Sequence, residues 1–147
     1  MKFSEITEQS WQELKPYLDT CVIPVTGMSG NEAPFEAVNK LEQLRDFLDL
    51  IEVPFMGRTV TYPAYHYVNE SDIRSEWRRL DEVAKQLKQY GFRHVVVMSI
   101  WNKLPGESCE AIDLVLAPSG NGSASDERQV RKQVEELWNR SQFSEQL

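Results

Sequence analysis

At 147 residues, 41% of them hydrophobic and 27% charged, the chain has the size and composition of a single globular α/β domain (1–147), which excludes disordered and fibrous classes. A formal charge of −7 excludes a general nucleic-acid binder, which needs a basic face for phosphates, and disfavours an anionic membrane surface. No apolar run is long enough to form a transmembrane segment, and Met1-Lys2-Phe3-Ser4-Glu5 lacks the apolar core of a signal peptide, so the expected location is cytoplasmic.

A short helix is predicted first. Ser10 and Glu13 stand at capping-box spacing, Trp11, Leu14 and Leu18 share one face, and Pro16 limits the element. Thr20 to Thr26 is a β-branched run ended by Gly27, and its lack of alternation suits a strand covered on both faces. Cys21 lies inside it and is expected as a buried free thiol, since two cysteines so far apart make no disulfide framework. A helix follows from Pro34 to Ile51 with Phe35, Val38, Leu41, Leu44 and Leu48 as its apolar stripe. Gly57 to Tyr65 is a second strand.

The clearest periodic signal runs from Ser71 to Tyr90, where Ile73, Trp77, Leu80, Val83 or Ala84, and Leu87 recur before Gly91 at the cap position. On the opposite side, Arg74, Arg78 and Arg79 form the only dense basic group, read as a solvated helix face. Arg93 to Ile100 and Ala111 to Ala117 are the third and fourth strands. Residues 119–125 have the composition of a flexible linker, and a last helix from Asp126 to about Ser141 carries Val130, Val134, Leu137 and Trp138. The final residues are expected to fray. Pro24, Pro63 and Pro118 each fall at or near a predicted strand end. The alternation predicts a three-layer α/β/α fold on a short, mainly parallel sheet of about four strands, with the direction of the fourth left open.

Ligands of open parallel sheets collect at the carboxyl ends of the strands. Those ends supply Gly27 to Glu32, then Tyr65-His66-Tyr67, then Trp101-Asn102-Lys103, and Ser119 to Gly122 if the fourth strand is parallel. Asn31, Glu32, Tyr65, His66, Tyr67, Trp101 and Asn102 are therefore the candidate binding residues, with Trp101 the tryptophan expected to be partly exposed. Gly27-Met28-Ser29-Gly30 stands where phosphate-cradling loops stand, but lacks the P-loop Lys-Ser/Thr pair and the third glycine of a dinucleotide fingerprint. His66 and His94 belong at opposite sheet edges, Glu32 could meet His66, and two ligands make a poor metal site. No serine stands in a nucleophile elbow, and acidic neighbours oppose a Cys109 thiolate. No metal and no cofactor are expected.

Leu18 to Pro24, Gly57-Arg58 leading to Tyr62-Pro63-Ala64-Tyr65, and Gly91-Phe92-Arg93-His94 resemble the YpiF-like family of uncharacterised proteins from Bacillus relatives. That resemblance implies no activity. Asp19 to Val25 and Gly91 to Val97 are similar to the strand pattern of creatininase-like metal amidohydrolases. Where those enzymes carry Glu-x-His-Gly and Asn-Gly-His-Gly-Gly-Asn, this chain has Ser29-Gly30-Asn31-Glu32 and Ser99 to Leu104, so their metal ligands do not transfer. The expected function is a non-catalytic adaptor or regulator binding a protein partner or small-molecule ligand at the carboxyl edge. The alternative is a hydrolase or ligand-binding enzyme with His66 as base and Glu32 or Arg58 as substrate partner, Arg58 being weakened by its place at the start of a strand.

Overall fold

The computed structural model describes residues 1–146, with side chains through Ser141. After a 3₁₀ turn at Phe3–Glu5, the elements are α1 (Glu8–Leu14), β1 (Thr20–Met28), α2 (Pro34–Glu52), β2 (Thr59–Thr61), β3 (Tyr65–Tyr67), α3 (Ile73–Tyr90), β4 (His94–Ser99), β5 (Leu114–Leu116) and α4 (Ser123–Gln146). β1 is central. It pairs with β4 on one side and with β2 and then β3 on the other, and β4 pairs with β5. Every one of these pairings is parallel, so the open direction of the fourth strand is settled.

Period-two alternation divides the strands between two cores. Cys21, Ile23, Val25, Val95 and Val97 face Trp77, Leu80 and Ala84 of α3, with Trp11 and Leu14 of α1 packed alongside. Val22, Val96 and Met98 face Phe47 and Ile51 of α2 and Val130, Val134, Leu137 and Trp138 of α4. The sheet is thus the middle of three layers.

The predicted second strand is broken in two, and prolines explain the break. Thr20 N–H donates to Arg58 and Tyr62 N–H to Val22, so the backbone N–H and C=O groups of even-numbered residues of β1 point toward β2 and β3. Pro24 is therefore mid-strand rather than at a strand end, and offers no donor to the neighbouring Tyr62-Pro63-Ala64 stretch. Pro63 lacks a donor too, and the edge strand is interrupted there. Further on, Val25 pairs with Tyr65 and Met28 with Tyr67, so Thr26 and Gly27 together oppose His66. This is a β-bulge, and Gly27 takes it at φ +79°. Gly27 lies inside β1 and does not end it.

Other boundaries shift for local reasons. Thr7, not Ser10, caps α1: its side chain accepts the Ser10 N–H at 3.1 Å, while Ser10 Oγ accepts the Thr7 N–H at 2.8 Å. α4 begins at Ser123, so the predicted linker loses its last three positions to the helix. What remains is tied down, because Asp126 accepts the N–H and hydroxyl of Ser119 at 2.8 and 2.6 Å. α4 also passes the predicted end near Ser141; the fraying expected at Leu147 lies outside the described residues. On α2 the buried residues are Leu44, Phe47 and Ile51, whereas Phe35, Val38 and Leu41 of the predicted stripe are exposed.

The amino edge of the sheet is held by charge and aromatic contact. Arg58 donates to both carboxylate oxygens of Asp19 at 2.9 and 3.1 Å and lies 4.0 Å over the Trp138 ring. Trp138 Nε1 donates to Thr20 at 2.9 Å, and the Asp19 carbonyl accepts the N–H groups of Arg93 and His94. His94 is buried, and its Nε2 has no hydrogen-bond partner among the described residues. Burial holds this imidazole below its ordinary 6.5; Asp19 and Asp113 oppose the shift, and Arg58 and Arg93 add to it. The unfolded chain therefore takes up a proton that the folded chain resists. The stability this represents is complete above pH about 6.5 and is lost as pH falls toward the folded pKa. Urea midpoints are expected to drop between pH of about 7.5 and 5.5, with a shallower drop for His94→Gln. Equal drops in the two proteins would refute this.

Candidate functional site: the carboxyl edge of the sheet

From β1 the chain passes to α2 on one face, and from β4 it passes along residues 100–113 to the other, where Ala111 and Ile112 enter the α3-side core. The carboxyl ends of β1 and β4 thus flank the switch point where open sheets hold ligands. Trp101 fills it. This indole is 3% exposed and stacks on Trp77 with ring centroids 6.1 Å apart. The Trp101 backbone N–H donates to Ser99 Oγ at 3.1 Å, the indole N–H donates to Glu70 at 3.4 Å, and the ring packs so closely on Gly27 that a Cβ there would lie 2.4 Å from it. The expected partial exposure of Trp101 is corrected. The bulge glycine leaves room for the indole, and α3 covers its far side.

Glu32 is spent locally. It accepts the N–H of Ser29 at 2.8 Å, the N–H of Gly30 at 2.9 Å and the Ser29 hydroxyl at 3.2 Å, with Lys40 3.7 Å away. The Ser29 N–H, with the other donors of this turn, holds the carboxyl down to about 2. Two backbone donors that a bound phosphate could use are thus taken by the chain itself. Asn31 beside it is exposed.

The Tyr65–Tyr67 strand lies on the other side of β1. Tyr65 donates its hydroxyl to Glu76 at 2.7 Å, and burial with this bond pushes the phenol up to about 12. Tyr67 is exposed. His66 Nδ1 lies 3.0 Å from Thr26 Oγ1, whose hydroxyl also donates to the His66 carbonyl at 3.1 Å. Nδ1 is thus engaged by Thr26, the donor and acceptor roles following the ring tautomer, and Nε2 makes no hydrogen bond among the described residues. Glu32 and His66 share no hydrogen bond or ion pair among the described residues.

Two of the seven candidates, Trp101 and Asn102, border a cleft of about 680 Å³ at the ends of β4 and β5. Its apolar wall is Phe47 and Leu50 of α2 with Ile100, and Asp46, Pro118 and Asp126 close the rim. Because β5 is parallel, its following loop joins this edge. Sequence periodicity missed Phe47 and Leu50, since the stripe chosen for α2 passed through Phe35 and Val38. A chain carrying apolar residues on more than one helical face leaves that choice to packing.

Among the described residues, no group of three or more His, Cys, Asp or Glu is placed to hold a metal ion. No helix among them is long and apolar enough to cross a membrane. Both cysteines are free: burial pushes the Cys21 thiol up, and burial with Asp81 does the same to half-buried Cys109.

Gly27→Ala is expected to destabilise the fold by roughly 2–4 kcal/mol, from a disfavoured backbone conformation and the clash with Trp101. Trp77→Ala and Trp101→Ala are each expected to cost roughly 3–5 kcal/mol. Gly30→Ala, also at positive φ but with nothing within 4 Å of its Cβ, serves as the comparison. Denaturant midpoints check the series; a Gly27 loss no larger than the Gly30 loss, or a near-neutral Trp101→Ala, would contradict the packed switch point.

Comparison with curated proteins gives no match, and comparison with solved structures gives none either. A family model described as "Protein of unknown function (DUF2487)" matches residues 9–141, and the chain belongs to that family.

Proposed function

We propose that this chain is a non-catalytic cytoplasmic adaptor or regulator, a single α/β domain that takes a small ligand or a partner's side chains in the cleft between α2 and α4. The observation that carries this reading is the makeup of that cleft. Its wall is apolar, Asn102 and Gln43 offer hydrogen bonds, and neither histidine nor cysteine lines it. Pockets of this size with few polar groups suit binding. Catalysis would need a nucleophile beside an oriented base, and His66 stands on the far side of β1 with its Nδ1 committed to Thr26.

The reading agrees with both resemblances. The YpiF-like motifs bring Asp19, Arg58 and His94 to the amino edge, where they serve architecture. The creatininase-like strand pattern comes without its metal-binding stretches. The enzymatic rival rests on one observation, that His66 Nε2 makes no hydrogen bond among the described residues.

The test compares Gln43→Trp and Asn102→Lys, two exposed cleft positions, with His66→Ala. Small molecules that raise the melting temperature of the unmodified protein are expected to do so for His66→Ala and to fail with the cleft variants. Occupancy at a hundredfold excess over Kd would be worth about 2.7 kcal/mol. A reproducible hydrolytic turnover abolished by His66→Ala and kept by both cleft variants would sink the adaptor reading.

A further inference from the structure

A second cleft, of about 430 Å³, opens on the opposite face between α3 and residues 104–109. It shares only Leu104 with the first. Its floor is apolar, made by Ile73 and Trp77 of α3 with Leu104 and Pro105. Both ends of the covering segment are fixed. Trp77 Nε1 donates to the Lys103 carbonyl at 3.0 Å, and Asp81 accepts the N–H groups of Glu110, Ala111 and Ile112 at 3.2, 2.9 and 3.0 Å.

Of the basic group that the sequence places on the solvated side of this helix, Arg74 and Arg78 line the cleft, and the charges are unequally spent. Arg74 pairs with Glu107, and Arg79 pairs with Glu82 at 3.2 Å. The Asp81 carboxylate is occupied by backbone donors. Arg78 lines the cleft and makes no hydrogen bond or ion pair among the described residues. Arg74 and Arg78 bring two positive charges to the lining and Asp81 and Glu107 two negative ones, and Arg78 is the guanidinium of the lining left without a partner among the described residues.

We infer that this cleft binds an amphipathic monocarboxylate, its aromatic or aliphatic body lying on Ile73 and Trp77 and its carboxylate on Arg78. The unpartnered Arg78 guanidinium beside the apolar floor selects the anion. A guanidinium presents two parallel N–H donors that match one carboxylate. The apolar floor selects a hydrocarbon body over a free phosphate, whose remaining oxygens would be stranded against it. The rigid ends of the 104–109 segment keep the trough open for a small molecule.

The experiment titrates the protein with 4-phenylbutyrate, its neutral amide 4-phenylbutyramide, inorganic phosphate, and an octapeptide of alternating leucine and aspartate. Two-dimensional amide NMR follows the Trp77 indole N–H and the Gly106 N–H. The acid is expected to shift both signals saturably, with the amide and phosphate each weaker by about tenfold or more. Arg78→Gln, at an exposed position, should weaken the acid by a similar factor without changing the melting temperature, and Arg78→Lys should fall between. Each of these results overturns the inference: no saturable shift with the acid, equal binding of acid and amide, unchanged binding in Arg78→Gln, or saturation by the octapeptide or phosphate where the acid fails. Shifts confined to Asn102 and Gly120 would place the acid in the first cleft and overturn it equally.

Discussion

All nine residues of β1 are buried, and the architecture hangs on that strand. A chain buried on both faces must send every backbone donor and acceptor sideways into other strands, since water cannot reach them. Three strands meet that demand, β4 on one side and β2 and β3 on the other, while β5 completes β4. The demand lapses at Pro24, which brings no N–H, and the edge strand opposite breaks there. The same strand sorts the helices: its odd-numbered residues build a core with α1 and α3, its even-numbered residues one with α2 and α4.

The bulge at Thr26 and Gly27 carries this constraint to the carboxyl edge. Removing one Cβ from the end of the central strand admits Trp101, and the indole occupies the switch point that an α/β fold ordinarily offers to ligands. Space for a ligand is displaced to either side of it. One cleft lies toward α2 and α4, the other beneath the segment that leaves β4 for β5. That connection covers its face of the sheet with an irregular stretch anchored on Asp81, which is why a cleft remains between it and α3.

The charged residues at the amino edge illustrate how a short polar motif can be architectural. Asp19, Arg58 and Trp138 come from three distant segments and meet over the start of β1. The ion pair is partly exposed, so its Coulombic worth is modest. Its geometry matters more, because a bidentate carboxylate and an aromatic ring fix the guanidinium and, through it, the approach of α4. His94 shares this edge without a described partner for Nε2, and its neutral form is the one the burial favours.

Much of the layer order was legible in local patterns. The unbroken apolar runs at Cys21 to Val25 and Val95 to Met98 could only be strands covered on both faces, and the stripe through Trp77 and Leu80 could only be a helix against them. Those patterns depend on neighbours a few residues apart, and the backbone period converts them directly into buried faces. The candidate sites were not legible in that way. Whether Trp101 is a ligand platform or a plug depends on Gly27, which is 74 positions earlier in the chain. Whether Glu32 is a free carboxylate depends on how tightly its own turn closes, and whether Arg78 or Arg74 keeps an ion pair depends on where the 104–109 segment carries Glu107. By itself the sequence determined the elements and the faces they bury. Only the tertiary structure decided which polar groups were left unspent, because that is a matter of three-dimensional partnership, and periodicity along the chain holds no record of it.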